Sequence, residues 1–203
     1  MGDRTAFFYG TLMAREVLNR VIYGVSKPLP SSPQYTLSLS LKISPALLPS
    51  YCRHKVQHAD YPGIIPDASR EVRGTYVTGL TEGDIWRLDR FEGSEYDRQD
   101  VVVTLLSEEA DGRAVETEGK AEERRTQTYV YTAGEERLEK KEWDYEVFRR
   151  EKLHRWADAS DEYRDVDEAV NDQEEGGHDP TGGRGVLPQG SKKQEEEKLR
   201  SAV

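Results

Sequence analysis

The sequence predicts one folded domain that mixes strands with amphipathic helices, followed by a polar tail. Three observations carry that expectation. Short apolar runs of strand type alternate with helical periodicities along most of the chain, apolar residues almost vanish beyond about Ala159, and glycine and proline fall between the runs where the chain must turn. The hydrophobic share of 35% is low for a globular chain because the tail dilutes it. The expected organisation is a folded domain over residues 1–158 and an acidic polar tail, largely disordered, over 159–203.

Each element follows from its local pattern. Thr5 to Tyr9, inside AFFYGTLM, is a continuous aromatic run of the kind a buried strand requires, and Gly10 ends it as a residue that turns freely through positive φ. Met13 to Tyr23 sets Val17, Leu18, Val21 and Ile22 at helical spacing. Ser26 to Pro49 is rich in Pro and Ser with a Leu-Ser alternation, which reads as a long connection holding a short edge strand. Tyr51 to Ile65 reads as strand, break at Gln57 to Asp60, strand, and Val72 to Leu80 as a further strand. Thr81 is a good N-cap, Asp84 three residues on makes a near relative of a capping box, and Ile85, Leu88 and Phe91 mark the apolar stripe of a helix that stops at Gly93.

Beyond that helix, Val101 to Leu106 and Thr126 to Thr132 form the arms of a hairpin around a charged stretch from Ser107 to Arg125. Trp143 to Trp156 reads as one outer helix carrying Trp143, Val147, Leu153 and Trp156. Tyr163, Val166 and Val170 fit one more short amphipathic helix, and Asn171 to Val203 has the composition of a disordered segment.

Charge narrows the partners. The formal net charge is -10, yet from Asp158 onward there are 13 Asp and Glu against 6 Lys and Arg, so most of the acid lies in the tail and the domain is nearly neutral. With no basic face, binding to a nucleic-acid backbone is not expected. No apolar run approaches the ~20 residues of a membrane-spanning helix, and no leader-like pattern opens the chain. Cys52 is the sole cysteine, so no intrachain disulfide can form, and the expected location is cytoplasmic. A partner for the tail is not legible.

The residues that could carry chemistry are few. His54 and His58 are four apart in strand-type surroundings with no third ligand nearby, so no metal site is expected, and without a phosphate loop or a nucleophile elbow no cofactor is called for. Carboxylates remain. LDRFEGSEYDR holds Asp89, Glu92, Glu95 and Asp97, of which Glu92 sits at a helix end, where the negative pole of the dipole would raise its pKa toward that of a proton shuttle. The competing reading is a solvated helix-end residue. YGTL likewise has two readings, a plain turn or a turn whose free N–H groups grip a carboxylate or oxyanion.

Taken together, FFYGTLM, YPGIIPD at Tyr61 to Asp67, VRGTYVTGL at Val72 to Leu80 and LDRFEGSEYDR at Leu88 to Arg98 resemble, in order and approximate spacing, the gamma-glutamylcyclotransferase-like family, and within it the branch named for plant avirulence-induced genes. The resemblance covers roughly residues 4 to 156. It implies a compact α+β domain, a small mixed β-barrel with helices packed around it. It also implies a cofactor-independent enzyme that cyclises a small-molecule gamma-glutamyl amine or amino acid to 5-oxoproline and releases the free amine. The family's glutamate falls on Glu92, as general acid and base, and its substrate loop on Tyr9, Gly10, Thr11, Leu12 and Met13. Tyr96 is a candidate pocket wall, and Arg98 is either a structural ion-pair partner or a ligand. Thr11 stands where glutathione-type and gamma-glutamyl-dipeptide relatives often have serine and is shared with relatives acting on gamma-glutamylamines, so the substrate stays open. Acyl transfer to an external amine and a non-catalytic binding module are the alternatives.

Overall fold

Five strands close on themselves in the computed structural model, which describes residues 2–108, 114–115, 122–158 and 161–175. They are β1 (Arg4–Phe8), β2 (Lys42–Lys55), β3 (Pro62–Leu80), β4 (Tyr96–Leu105) and, after the two-residue strands β5 (Ser107–Glu108) and β6 (Ala114–Val115), β7 (Glu122–Tyr131). The barrel order is β1-β3-β2-β4-β7. Every pairing in it is antiparallel except the closing one, where Ala6 of β1 meets Gln127 of β7 in parallel. The architecture is thus the mixed barrel with surrounding helices, of α+β class.

The aromatic run AFFY is continuous because β1 is buried on both faces. Phe7 and Tyr9 join Ala46, Leu48, Ile64 and Val103 in a cluster built from barrel residues, while Ala6 and Phe8 face the layer beneath the helices. That outer layer is supplied by α1 (Arg15–Tyr23), whose Val17, Leu18, Val21 and Ile22 are fully buried, and by α3 (Glu82–Glu92) through Ile85 and Leu88. The start of α3 is a capping box: Thr81 Oγ1 accepts from Asp84 N at 3.2 Å, and Asp84 Oδ2 accepts from Thr81 N at 2.7 Å. Its end is set by Gly93 at φ 65°.

Several expectations are corrected. The Leu-Ser alternation is not an edge strand but lies in α2 (Pro33–Leu39), because Pro33 opens a helix whose N-cap, Ser32, accepts from Tyr35 N. The three strands expected between Tyr51 and Leu80 are two long ones, with β2 reaching back to Lys42 and β3 running unbroken to Leu80. β2 survives its prolines by an irregularity at Ser50, φ 63°, between Pro49 and Tyr51. Gly10 is not in the left-handed region; it is needed because a Cβ there would sit 2.9 Å from Pro62 Cγ.

The single helix expected over Trp143 to Trp156 is two, α4 (Tyr145–Glu151) and α5 (Leu153–Asp158), and Val147 faces outward while Phe148 is buried. The short helix after them is α6 (Arg164–Glu175). Tyr163, Val166 and Val170 are buried under it, so packing continues past residue 158, the boundary read from composition. Of the expected tail, residues 176–203 lie outside the described residues, as does most of the loop between β5 and β7. Among the described residues, no helix is long and apolar enough to cross a membrane.

Candidate functional site

The chain leaves β1 through Tyr9 and Gly10 into a short 3-10 turn, Thr11–Met13, before α1 begins. That turn leaves donors unused. Met13 N returns to Gly10 O at 3.0 Å and Ala14 N to Thr11 O at 3.1 Å, but the N–H groups of Gly10, Thr11 and Leu12 have no acceptor among the described residues. All three residues line a cavity of about 270 Å³.

Across the same cavity runs the end of α3, contributing Phe91, Glu92, Gly93 and Ser94. Glu92 is only partly accessible, and the surface it shows lies in the cavity lining. Its carboxyl makes no hydrogen bond or ion pair among the described residues. Burial, and then the charge of Asp89 one turn earlier on the helix, push its pKa from the ordinary 4.5 up to about 8. The cause anticipated from sequence was the helix dipole; the structure names desolvation and a like charge instead.

Desolvation comes from tyrosines. Tyr9, Tyr61, Tyr96 and Tyr129 all line the cavity, and all four hydroxyls donate elsewhere: Tyr9 to Tyr129 O at 2.6 Å, Tyr61 to Glu95 at 3.1 Å, Tyr96 to Pro62 O at 2.9 Å and Tyr129 to Asp89 at 2.8 Å. Burial holds each of these phenols above its usual range, Tyr61 at about 12, so they remain neutral donors at any ordinary pH. They enclose Glu92 without neutralising it. Asp89 is itself held by Arg98, whose Nε donates at 2.9 Å, and Arg98 also donates to Gln127.

The structure therefore brings Tyr9, Gly10, Thr11, Leu12, Glu92 and Tyr96 to one cavity. Met13 does not belong to the lining; it packs against the core beneath the helices, where the turn has already rotated its side chain away. Arg98 also stands outside the lining, as the ion-pair partner of Asp89. His54 and His58 do not form a pair: His54 Nε2 lies 3.2 Å from Cys52 Sγ and its Nδ1 3.1 Å from Glu139 O, and no group of three or more metal-ligating side chains occurs among the described residues.

Sequence reasoning missed Tyr61, Tyr129 and the wall made by Trp156, Glu162 and Asp165. Tyr61 stood in a quoted motif and Tyr129 in the alternating run QTYVY, where period two puts it on the face opposite Val130. Nothing in the local pattern around Glu162 and Asp165 places them near residues 70 positions earlier. Trp156 reaches the site through rings, 6.4 Å from Tyr61 and 6.5 Å from Phe91.

A closed five-stranded mixed barrel with this helix layer is the α+β architecture that the sequence resemblance implied. The family model described as "Gamma-glutamyl cyclotransferase, AIG2-like" matches residues 6–145, and the chain belongs to that family. Among its relatives, AIG2-like protein D of Arabidopsis thaliana is 27% identical over 146 residues, 72% of this chain and 79% of that one. AIG2-like protein C of the same plant is 30% identical over 148 residues, 71% and 68% of the two chains. A solution structure of a further Arabidopsis thaliana protein aligns at 23% identity with a TM-score of 0.48, covering 84% of this chain and 91% of that one.

Proposed function

We propose that the protein is a gamma-glutamyl cyclotransferase, with Glu92 as its proton-transfer group and the Gly10–Leu12 turn as its anion grip. One observation carries the reading: a carboxyl with no partner of its own, raised to a pKa of about 8, opens into a tyrosine-lined cavity that three unpaired backbone N–H groups also border. Family membership supports the same reaction class.

The chemistry is an intramolecular ring closure. The neutral α-amine of the gamma-glutamyl group attacks its own γ-carbonyl carbon, forming a five-membered ring and a tetrahedral intermediate. The Glu92 carboxylate takes one proton from the attacking nitrogen and delivers it to the departing nitrogen, the γ-amide C–N bond breaks, and 5-oxoproline leaves with the free amine. No water, metal or covalent enzyme intermediate is consumed in the balance. Holding nucleophile and carbonyl within one bound molecule supplies most of the advantage, and one proton shuttle with a pKa near the working pH supplies the rest. The N–H groups of Gly10, Thr11 and Leu12 serve the substrate's α-carboxylate or the developing oxyanion.

The test is incubation of the purified protein with gamma-glutamyl amino acids, glutathione and gamma-glutamylamines, with 5-oxoproline read by mass spectrometry and Glu92→Gln run beside it. Glu92-dependent 5-oxoproline is the expected result. A new amide to an added amine, without 5-oxoproline, would assign acyl transfer instead; no product from any compound would leave the cavity as a binding site.

A further inference from the structure

The family match ends at residue 145, yet the cavity wall does not. Trp156 of α5, Glu162 of the turn before α6 and Asp165 of the first turn of α6 complete the lining. Tyr163 fixes this segment in place. Its ring stacks on Phe91 at 5.7 Å, next to Glu92 in the chain; its hydroxyl donates to Trp156 O at 2.8 Å, and the Arg20 guanidinium lies over the ring, 4.5 Å from its centre.

The charges on this wall are unbalanced. Glu95, the third acid beside Glu92 in the lining, is engaged by the Tyr61 hydroxyl and faces Arg137 at 3.5 Å. Glu162 and Asp165 are exposed where they line the cavity and form no ion pair within 4 Å among the described residues. Arg90 is the one cation in the lining among the described residues, and its guanidinium lies over the Trp86 ring, 5.5 Å from its centre. The same cavity is lined by Trp156 and Tyr61, which meet edge to face at 6.4 Å, rings able to attract a cation.

We infer that Glu162 and Asp165 are specificity-determining residues that favour a gamma-glutamyl substrate whose leaving amine carries a second, positively charged group, and disfavour one whose leaving amine carries a carboxylate. This rests on the reading of the cavity as a gamma-glutamyl site. The charge preference is supplied by a segment beyond the family-matched part of the chain, whereas the reacting group and the anion grip lie within it. A carboxylate arriving at this mouth meets two like charges with no neutralising partner, while an ammonium meets two acceptors and an aromatic wall.

Three probes of nearly equal size isolate the effect: the gamma-glutamyl amides of 1,4-diaminobutane, butylamine and 4-aminobutyrate. Their kcat/KM values are measured with the full chain at low and at high salt, and their Kd values with Glu92→Gln by calorimetry. The expected order is diamine, butylamine, aminobutyrate, with about tenfold between first and last at low salt, narrowing as salt screens the exposed pair. In Glu162→Gln/Asp165→Asn the ratio of diamine to aminobutyrate should fall to within about twofold. A ratio that the double substitution leaves unchanged, or equal values for the three probes in the parent protein, overturns the inference. Failure of the reaction itself is separable: without 5-oxoproline the cyclotransferase reading falls, while the Kd order still decides whether the wall selects charge.

Discussion

The cavity has two kinds of wall, and they are held by different forces. The turn after β1 and the end of α3 hang on main-chain structure: a paired strand, a capping box, and two glycines placed where a Cβ or a negative φ would not fit. The α5–α6 wall is attached by side chains. Tyr163 stacks on Phe91, Trp156 packs edge-on against Phe148 at 5.7 Å, and Arg20 of α1 binds Asp167 through both nitrogens, at 2.9 and 2.6 Å. The partly buried Glu92 and the turn's free N–H groups sit on the first wall, and the exposed unpaired acids sit on the second. On the proposed reading, reaction and selectivity lie on different walls, and substitutions on the two should fail in different ways.

The largest effect belongs to Glu92. Glu92→Gln keeps the shape and removes the proton acceptor, so turnover should fall by about 10³-fold with the fold intact. It should also stabilise the protein at high pH. The folded carboxyl titrates at about 8 against 4.5 when exposed, so its favourable contribution is complete below about pH 4.5 and lost as pH rises through 8. Parent and variant should unfold alike in denaturant near pH 4, with the variant ahead by on the order of 2 kcal/mol at pH 8.5, a figure discounted for the part of Glu92 that the cavity exposes. Equal stabilities at pH 8.5 would mean that Glu92 is not desolvated.

On the main-chain wall the next effect is structural. A Cβ on Gly74 of β3 would lie 2.3 Å from Phe8 O and 2.5 Å from Phe7 Cζ, where β1 crosses close to its partner. Gly74→Ala should cost about 2 to 3 kcal/mol in urea and depress turnover of every substrate alike, since it moves the strand that delivers Tyr9 and Gly10. A stable variant whose substrate ratios alone have changed would contradict the division between the walls.

A smaller effect tunes the proton. Asp89 raises the pKa of Glu92 and is partly neutralised by Arg98. Asp89→Asn removes a like charge, so the rise of kcat/KM with pH, centred near 8 in the parent, should move to lower pH; Arg98→Gln should move it higher. Unmoved profiles in both variants would detach Asp89 from the proton transfer.

How far the sequence disclosed this site follows the same division. The turn, the capped helix and the position of Glu92 at its end were legible because strand, glycine stop, N-cap and apolar stripe are encoded within a few residues of one another; a role for Glu92 came only from the family resemblance. The reason for Glu92's proton affinity was not, because the tyrosines that line its cavity come from the residue after β1, from β4, from β7 and from the turn before β3, brought together only by barrel closure. Composition hid the place of α6 in the site as well. Among so many charges, Tyr163, Val166 and Val170 marked a helix but not what it covers, and a boundary drawn at residue 158 cut off the part of the wall that carries its unpaired acids.

The smallest predicted effect tests the side-chain wall most directly. Arg20 holds Asp167 in a two-pronged contact and lies over Tyr163, but Asp167 is 42% exposed, so water and salt weaken the pair. Arg20→Gln should therefore lower global stability by only about 1 kcal/mol. Its mark should be local: amides of α5 and α6 should exchange with solvent faster, while those of β1, β3 and β7 keep their protection. Substrate selectivity should follow the exchange rates, with the ratio of diamine to aminobutyrate turnover falling as the segment carrying Glu162 and Asp165 loosens. If exchange instead quickens across barrel and helices together, the second wall is not a separate unit, and the chemistry and the charge preference share one cooperative structure.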